Sequence, residues 1–378
     1  MHTKLPNVTT TIFSVMSQLA TEQKAVNLSQ GFPDFKNDER LLKLVTNAMH
    51  NGYNQYAPMP GVFELRKVIA EKINTLYNSD YHPDTDITIT AGATQAIFTA
   101  ISACIHKGDE VIIFSPAYDC YEPTITLQGG KTVAIALRYP EYKIPWEEVR
   151  QKFSSKTKMM IINTPHNPSG TILSEDDLLQ LQELTENTDC LVLSDEVYEH
   201  IIFDKQVHQS VARFRALRER SFIVASFGKT FHNTGWKMGY CAAPKVLMDE
   251  FKKVHQFNVF CVNHPMQQAL ATYLKNPSNY MHLSEFYQQK RDLFLEGINA
   301  SRFKWIPAKG TYFQLLDYSD ISDEKDVDFA KRITIENKIA SIPVSVFYPD
   351  GSNDKVLRFC FAKTDETLKK ATDILCKL

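Results

Sequence analysis

Residues 226–240 read SFGKTFHNTGWKMGY, and two lysines stand there among glycines and aromatic rings. Lys229 follows the apolar run FIVASF and Gly228, while Lys237 is wedged between Trp236 and Met238. A lysine after a strand is ordinarily a solvated surface group. In water its pKa is about 10.4, so at pH 7 only about 0.04% of it is the nucleophilic amine. Apolar packing and a neighbouring cation lower that value, and a lysine so treated forms imines with carbonyl compounds. Lys229 has apolar residues before it and Lys237 eight positions on. Whether it is a nucleophile or a surface charge depends on what else reaches the same place.

The elements that must position it are legible as an alternation. From about residue 87 to 243, short β-rich runs alternate with longer amphipathic segments. The runs are DITIT (86–90), EVIIF (110–114), TVAIAL (132–137), KMMIIN (158–163), CLVLS (190–194), FIVASF (222–227) and MGYCAA (238–243). Near-continuous Val, Ile and Leu is expected of strands buried on both faces. Between them, 93–106 places Ile97, Ala100, Ile101 and Cys104 on one helical face, and 174–187 opens with Ser174 and Asp177 at capping-box spacing. The alternation predicts an α/β fold with an open, mainly parallel, seven-stranded sheet. The C-terminal part reads differently: a long helix over 286–299, then a mixed segment with TYFQLLD (311–317), a helix near 326–338 and a strand at 355–362. We expect a large α/β domain over 46–280 and a small α+β domain made of 1–45 with 281–378.

In an open parallel sheet, ligands bind beyond the carboxyl ends of the strands. Read at those ends, KMMIIN leads to Asn167 in TPHNPSG, CLVLS leads to Asp195 and Glu196 with Tyr198 beyond, and FIVASF carries Ser226 and leads to Lys229. DITIT leads into AGATQA, a small-residue turn opening a helix, which is either a plain tight turn or a phosphate cradle to which Thr94 and Ser226 add hydroxyl donors and Lys237 a charge. Tyr118 and Tyr121, in SPAYDCYEP, are either core residues or, for Tyr118, a flat partner for a ring. An imine-forming lysine, a phosphate cradle, an acid, an amide and a tyrosine are together what pyridoxal phosphate needs. Arg358, in KVLRFCFA, either faces water from a strand edge or offers its guanidinium fork to a carboxylate.

Six phrases carry a resemblance: NLSQGFPDF (27–35), NQYAPMPGVFELR (54–66), PHNPSG (165–170), SDEVYEH (194–200), SFGKTFHNTGWKMGY and LRFCFAK (357–363). Through them the chain resembles, nearly end to end, the fold-type I pyridoxal-phosphate aminotransferases of the class I/II group. Within that group it is most similar to the branch of kynurenine–oxoglutarate transaminase, glutamine transaminase K and bacterial methionine aminotransferase. The resemblance implies pyridoxal 5′-phosphate bound as an imine to Lys229, which also shuttles the proton. Asp195 would pair with the ring nitrogen, and Asn167 and Tyr198 with the phenolic oxygen. Tyr118 would stack on the ring. Ala93, Thr94, Ser226 and Lys237 would hold the phosphate, with Tyr56 reaching in from a partner subunit. Many relatives carry arginine at position 237, where a lysine is a point charge rather than a fork. Arg358, helped by Gly31 and Asn167, would grip the substrate carboxylate. Phe13 and Tyr118, with Phe260 of the neighbour, would line the side-chain pocket. The substrates would be bulky apolar, sulfur-containing or aromatic L-amino acids and 2-oxo acids, handled by a homodimer with shared sites.

The bulk properties agree with this and exclude other classes. At 378 residues, with 43% hydrophobic and 23% charged residues, the chain is an ordinary globular one. A net charge of −2 gives no footprint for nucleic acid or an anionic membrane. The 11 histidines show no metal-ligand spacing. The seven cysteines include no CxxC pair and suggest a reduced, cytoplasmic setting. The opening residues show no basic cluster before an apolar core, so no leader is expected. Two rival readings remain: a C–S β-lyase using the same cofactor, and a non-catalytic effector-binding module of the same fold.

Overall fold

The computed structural model describes residues 3–6 and 8–378. Residues 1, 2 and 7, part of the opening segment in which no leader is expected, lie outside them. The larger sheet has strands β1 (Ile87–Thr90), β2 (Glu110–Ser115), β3 (Lys131–Ala136), β4 (Thr157–Asn163), β5 (Leu191–Asp195), β6 (Ser221–Ser226) and β7 (Gly239–Ala242). Their spatial order is β1-β7-β6-β5-β4-β2-β3. Every neighbouring pair is parallel except those of β7, which runs against both β1 and β6. Successive strand residues point to opposite faces. Val111 and Ile113 therefore join the core beneath the Gly92–Cys104 helix, while Ile112 and Phe114 join the core on the other face.

The expected elements form for local reasons. Ser174 and Asp177 make the capping box: the Ser174 Oγ accepts from the Asp177 N–H at 3.2 Å, and the Asp177 carboxylate accepts from the Ser174 N–H at 2.8 Å. One strand is shorter than its apolar run suggests. Phe227 leaves β6 because its N–H turns to the Met238 carbonyl at 3.0 Å and the chain enters a single helical turn, Phe227–Thr230.

A smaller antiparallel sheet holds β8 (Phe313–Asp317), β9 (Ile342–Pro343) and β10 (Val356–Cys360) in the order β9-β10-β8. The N-terminal segment is tied to this C-terminal part. Val26–Asn27 pairs in parallel with Ile339–Ala340, and the Ile12–Glu22 helix packs on the Asp326–Glu336 helix. Arg358 sits in β10, between Leu315 of β8 and Ile342 of β9, and is 1% exposed. The alternative of an edge arginine facing water is thereby removed. Among the described residues, no helix is long and apolar enough to cross a membrane, and no three His, Cys, Asp or Glu side chains cluster as they would around a metal ion. All seven cysteines carry free thiols.

Candidate active site

The strands end in step. Asn163 pairs with Asp195, Asp195 with Val224, and Ser226 and Thr90 both pair with Gly239. This register gathers strand-end side chains around one cavity of about 160 Å³. Ala93, Thr94, Tyr118, Asn167, Asp195, Tyr198, Ser226, Lys229 and Lys237 all line it.

One end of the cavity is built for an anion. The Gly92–Cys104 helix begins there with no side-chain cap, so its first N–H groups and the positive end of its dipole are free to meet a ligand. Gly92 adopts φ +77°, and a Cβ on it would lie 3.5 Å from the Lys237 Cε and Nζ, so the ammonium lies over the helix start. The Thr94 hydroxyl is 3.2 Å from that of Tyr118. Gly239 makes the close approach possible, since a Cβ there would meet the Ala225 carbonyl at 2.6 Å and the Ala93 nitrogen at 3.1 Å. These donors fit a phosphate group.

Another wall carries the acid. Asp195 is buried, and its Oδ2 accepts from the Tyr121 hydroxyl at 2.6 Å while its Oδ1 accepts from the Val197 N–H at 3.3 Å. Burial pushes its pKa up to about 6, against the pull of the Tyr121 and Val197 hydrogen bonds and the Lys229 charge. A cation would relieve that penalty, and a protonated ring nitrogen is such a cation.

Lys229 is partly buried and lies one helical turn beyond β6. Desolvation brings its pKa down to about 8; Arg358 and Lys237 push the same way, and Cys360 and Asp195 oppose them. Its Nζ donates to the Tyr312 hydroxyl at 2.9 Å and to the Gly31 carbonyl at 3.2 Å. Gly31 is therefore at the site, although it is not part of the cavity wall.

Arg358 reaches the site from β10. Its Nη1 donates to the Asn167 Oδ1 at 2.6 Å and its Nη2 to the Ser29 carbonyl at 3.2 Å, while its buried Nε has no hydrogen-bond partner. The guanidinium carbon lies 3.9 Å from the centre of the Phe313 ring, 5.2 Å from Phe13 and 5.8 Å from Phe347. Burial lowers its pKa to about 10, so it stays charged at neutral pH with donor capacity to spare. Phe13 is thus brought to the arginine. Tyr56 and Phe260 are not brought to the cavity of their own chain. They are 82% and 47% exposed and pack edge to face, ring centres 5.4 Å apart.

Three residues at the site escape the sequence reading. Tyr121 holds Asp195, Tyr312 holds Lys229, and Asn163 ties the acid loop to the amide loop. The Asn163 Nδ2 donates to the Asp195 carbonyl at 2.9 Å, and its Oδ1 accepts from the Asn167 N–H at 2.8 Å. Asn163 carries a usable signal, being the polar last residue of β4, at the strand ends where ligands bind.

An amine, a buried carboxylate and an uncapped helix end meet at strand ends of an open α/β sheet, an arrangement that fits a phosphorylated carbonyl cofactor. The fold is that of the type I aminotransferases. The chain belongs to the family of class I and II aminotransferases, whose model matches residues 23–375. It is 47% identical over 376 residues to the methionine aminotransferase of Escherichia coli K12, covering 99% of this chain and 97% of the relative. It is 34% identical to the human kynurenine–oxoglutarate transaminase 3, covering 98% and 89%. A solved Escherichia coli structure with a reported methionine aminotransferase function superposes with a TM-score of 0.97 at 46% identity, covering 100% and 99%.

Proposed function

We propose that this aminotransferase carries pyridoxal 5′-phosphate on Lys229 and moves the amino group of a bulky apolar, sulfur-containing or aromatic L-amino acid to a 2-oxo acid in a ping-pong cycle. One observation carries the reading: a single cavity offers a lysine of lowered pKa, a buried carboxylate and an uncapped helix end beneath a second lysine. When bound, the cofactor supplies an aldehyde for amines and a protonated ring that stores the electron pair of a broken Cα–H bond.

The chain's own residues do the rest. With a pKa of about 8, Lys229 is roughly one-tenth free amine at pH 7, about two hundred times the fraction of an exposed lysine. Its Nζ accepts the Cα proton and hands it on. Asp195, its carboxylate fixed by Tyr121 and Val197, keeps the ring nitrogen protonated. Asn167 and Tyr198 serve the phenolic oxygen, and Tyr118 the ring face. Ala93, Thr94, Ser226 and Lys237 take the phosphate. Arg358 takes the α-carboxylate, with Gly31 and Asn167 beside it. The aromatic rings of Phe13, Phe313 and Phe347 around Arg358 keep water off the guanidinium.

The same reading gives the chain two parts, 46–280 and 1–45 with 281–378, a homodimer in which Tyr56 and Phe260 complete the neighbour's site, and a place in the cytoplasm. The exposed Tyr56–Phe260 pair supports the second point. Substrate preference is supported by the Phe13–Phe347 wall, ring centres 5.7 Å apart, and by the name of the 47% identical relative.

Two measurements test the proposal. The purified protein should show a visible absorbance that borohydride abolishes, leaving a stable adduct on Lys229, and Lys229→Ala should lack it. In a panel of amino acids, methionine or an aromatic donor should exceed aspartate by at least roughly tenfold in kcat/KM, about 1.4 kcal/mol. Aspartate as the best donor would refute the pocket reading.

A further inference from the structure

Tyr312 stands in KGTYFQLLD, just before β8, and is fully buried. Its hydroxyl lies between two groups from distant parts of the chain. It donates to the Gly31 carbonyl at 2.5 Å and is 2.9 Å from the Lys229 Nζ. A phenol has a single proton to give. With that proton on Gly31, the oxygen turns lone pairs toward Lys229 and accepts from it. The Gly31 carbonyl accepts from the same Nζ at 3.2 Å. The ring centre of Tyr198 stands 5.7 Å from it, within cation–π reach. Residue 31 can come this close because it has no side chain: a Cβ there would lie 2.6 Å from the Phe313 Cζ. The lysine nitrogen thus has a berth of two oxygen acceptors and one ring face.

We infer that this berth holds the Lys229 nitrogen whenever it is a free amine, with no bond beyond its own Cε, and that Tyr312 is the positioning residue that sets it. The inference rests on the cofactor reading above and deepens it. A transaminating lysine is released and recaptured in every cycle, and its flexible four-carbon stem would otherwise let the nitrogen wander. Both oxygens of the berth accept, so they favour the charged amine. Burial, Arg358 and Lys237 act against the charge; Cys360 of β10 and Asp195 of β5 act for it. The berth therefore keeps the proton on Nζ at a pH where burial alone would remove more of it.

The test uses the cofactor-free protein and pyridoxal phosphate as the probe. The rate of capture, followed by the growth of the visible band across a pH series, reports the deprotonation of Lys229. Tyr312→Phe keeps the ring and its packing but removes the acceptor. Its capture midpoint should fall by about one pH unit relative to wild type, the scale of one hydrogen bond to a charged group. Thermal melting is read in parallel. A variant that melts earlier but keeps the wild-type midpoint gives Tyr312 a purely structural role and overturns the inference. Should Tyr312→Phe not fold, a fluorotyrosine placed at position 312 keeps the hydroxyl and weakens its oxygen as an acceptor. The midpoint should again fall, by less, and an unmoved midpoint overturns the inference. A wild-type chain that takes up no pyridoxal phosphate on Lys229 overturns the cofactor reading and this inference with it. Normal wild-type uptake with unmoved variant midpoints overturns the role of Tyr312 alone.

Discussion

Asp195 is a carboxylate kept from water, and what that costs depends on what faces it. In the cofactor-free chain its pKa is raised from the ordinary 3.8 to about 6. The folded state then binds a proton that the unfolded state has shed between those two values. Stability therefore falls as pH rises through about 4 to 6, by up to about 3 kcal/mol, and stays lower above that window. Asp195→Asn removes the charge and keeps the shape. Without cofactor it should be more stable than wild type in urea at pH 7, and the difference should vanish below pH 4. With cofactor, the same variant should lose about a hundredfold or more in kcat, because an amide cannot hold the ring nitrogen protonated. Equal urea midpoints at pH 7, or a rate within twofold of wild type, would contradict this. Lys229, Asp195 and Asn167 are legible in the sequence because a chemically able residue stands at a strand end. Tyr121 and Tyr312 are not, because their roles are hydrogen bonds to Asp195 and Lys229, 74 and 83 residues away. Arg358 is half legible: its fork is visible, but only the strand on each side of β10 decides that it is buried.

At the scale of elements, the site depends on how closely β7 lies on the start of the Gly92–Cys104 helix. Gly239 is paired to both Thr90 and Ser226 and has the Ala93 nitrogen 3.1 Å from where a Cβ would stand. Gly239→Ala must move the strand or the helix end, since backbone atoms cannot yield as a flexible side chain does. We expect the dissociation constant for pyridoxal phosphate to rise at least about tenfold, with a loss of roughly 1–3 kcal/mol in stability from overpacking. Cofactor titration and thermal melting read the two effects separately. Unchanged affinity would mean that the helix start does not take the phosphate. The strands are legible because burial on both faces leaves an unbroken apolar run. The turn at Phe227 is not, because an apolar residue leaves β6 for a bond to Met238, outside any local pattern. The Asp365–Leu375 helix carries Leu368, Ala371 and Leu375 at helical spacing behind a Thr364 cap, a periodicity that the sequence displays.

At the scale of the whole molecule, Tyr56 and Phe260, expected to serve a neighbour's site, are exposed and do not line the cavity of their own chain, which is what two chains exchanging residues would require. Mixing inactive Tyr56→Ala and Lys229→Ala chains should restore up to about a quarter of wild-type activity, since half of randomly paired dimers would be mixed and each would hold one intact site. No recovery despite proven subunit exchange would exclude shared sites. The alternation of strands and helices made the α/β sheet legible. The parallel pairing of Val26–Asn27 with Ile339–Ala340 was not, because two residues carry no pattern and their partner lies over 300 positions away. That pairing belongs to the part of the chain that brings Arg358 to Asn167, whose Oδ1 is 2.6 Å from its Nη1, and so, with the roles proposed above, a single amide would join the substrate's anchor to the cofactor's oxygen. Such sharing imposes a reciprocity. Whatever factor a carboxylate on Arg358 applies to the cofactor's proton affinity, the proton must apply to the carboxylate's dissociation constant. A simple monocarboxylate with no amino group should therefore shift the pH midpoint of the visible band, and its own affinity should change across that midpoint by the same factor. The grip on every 2-oxo acid then varies with acidity by way of one amide, although neither the amide nor the bound carboxylate titrates in that range.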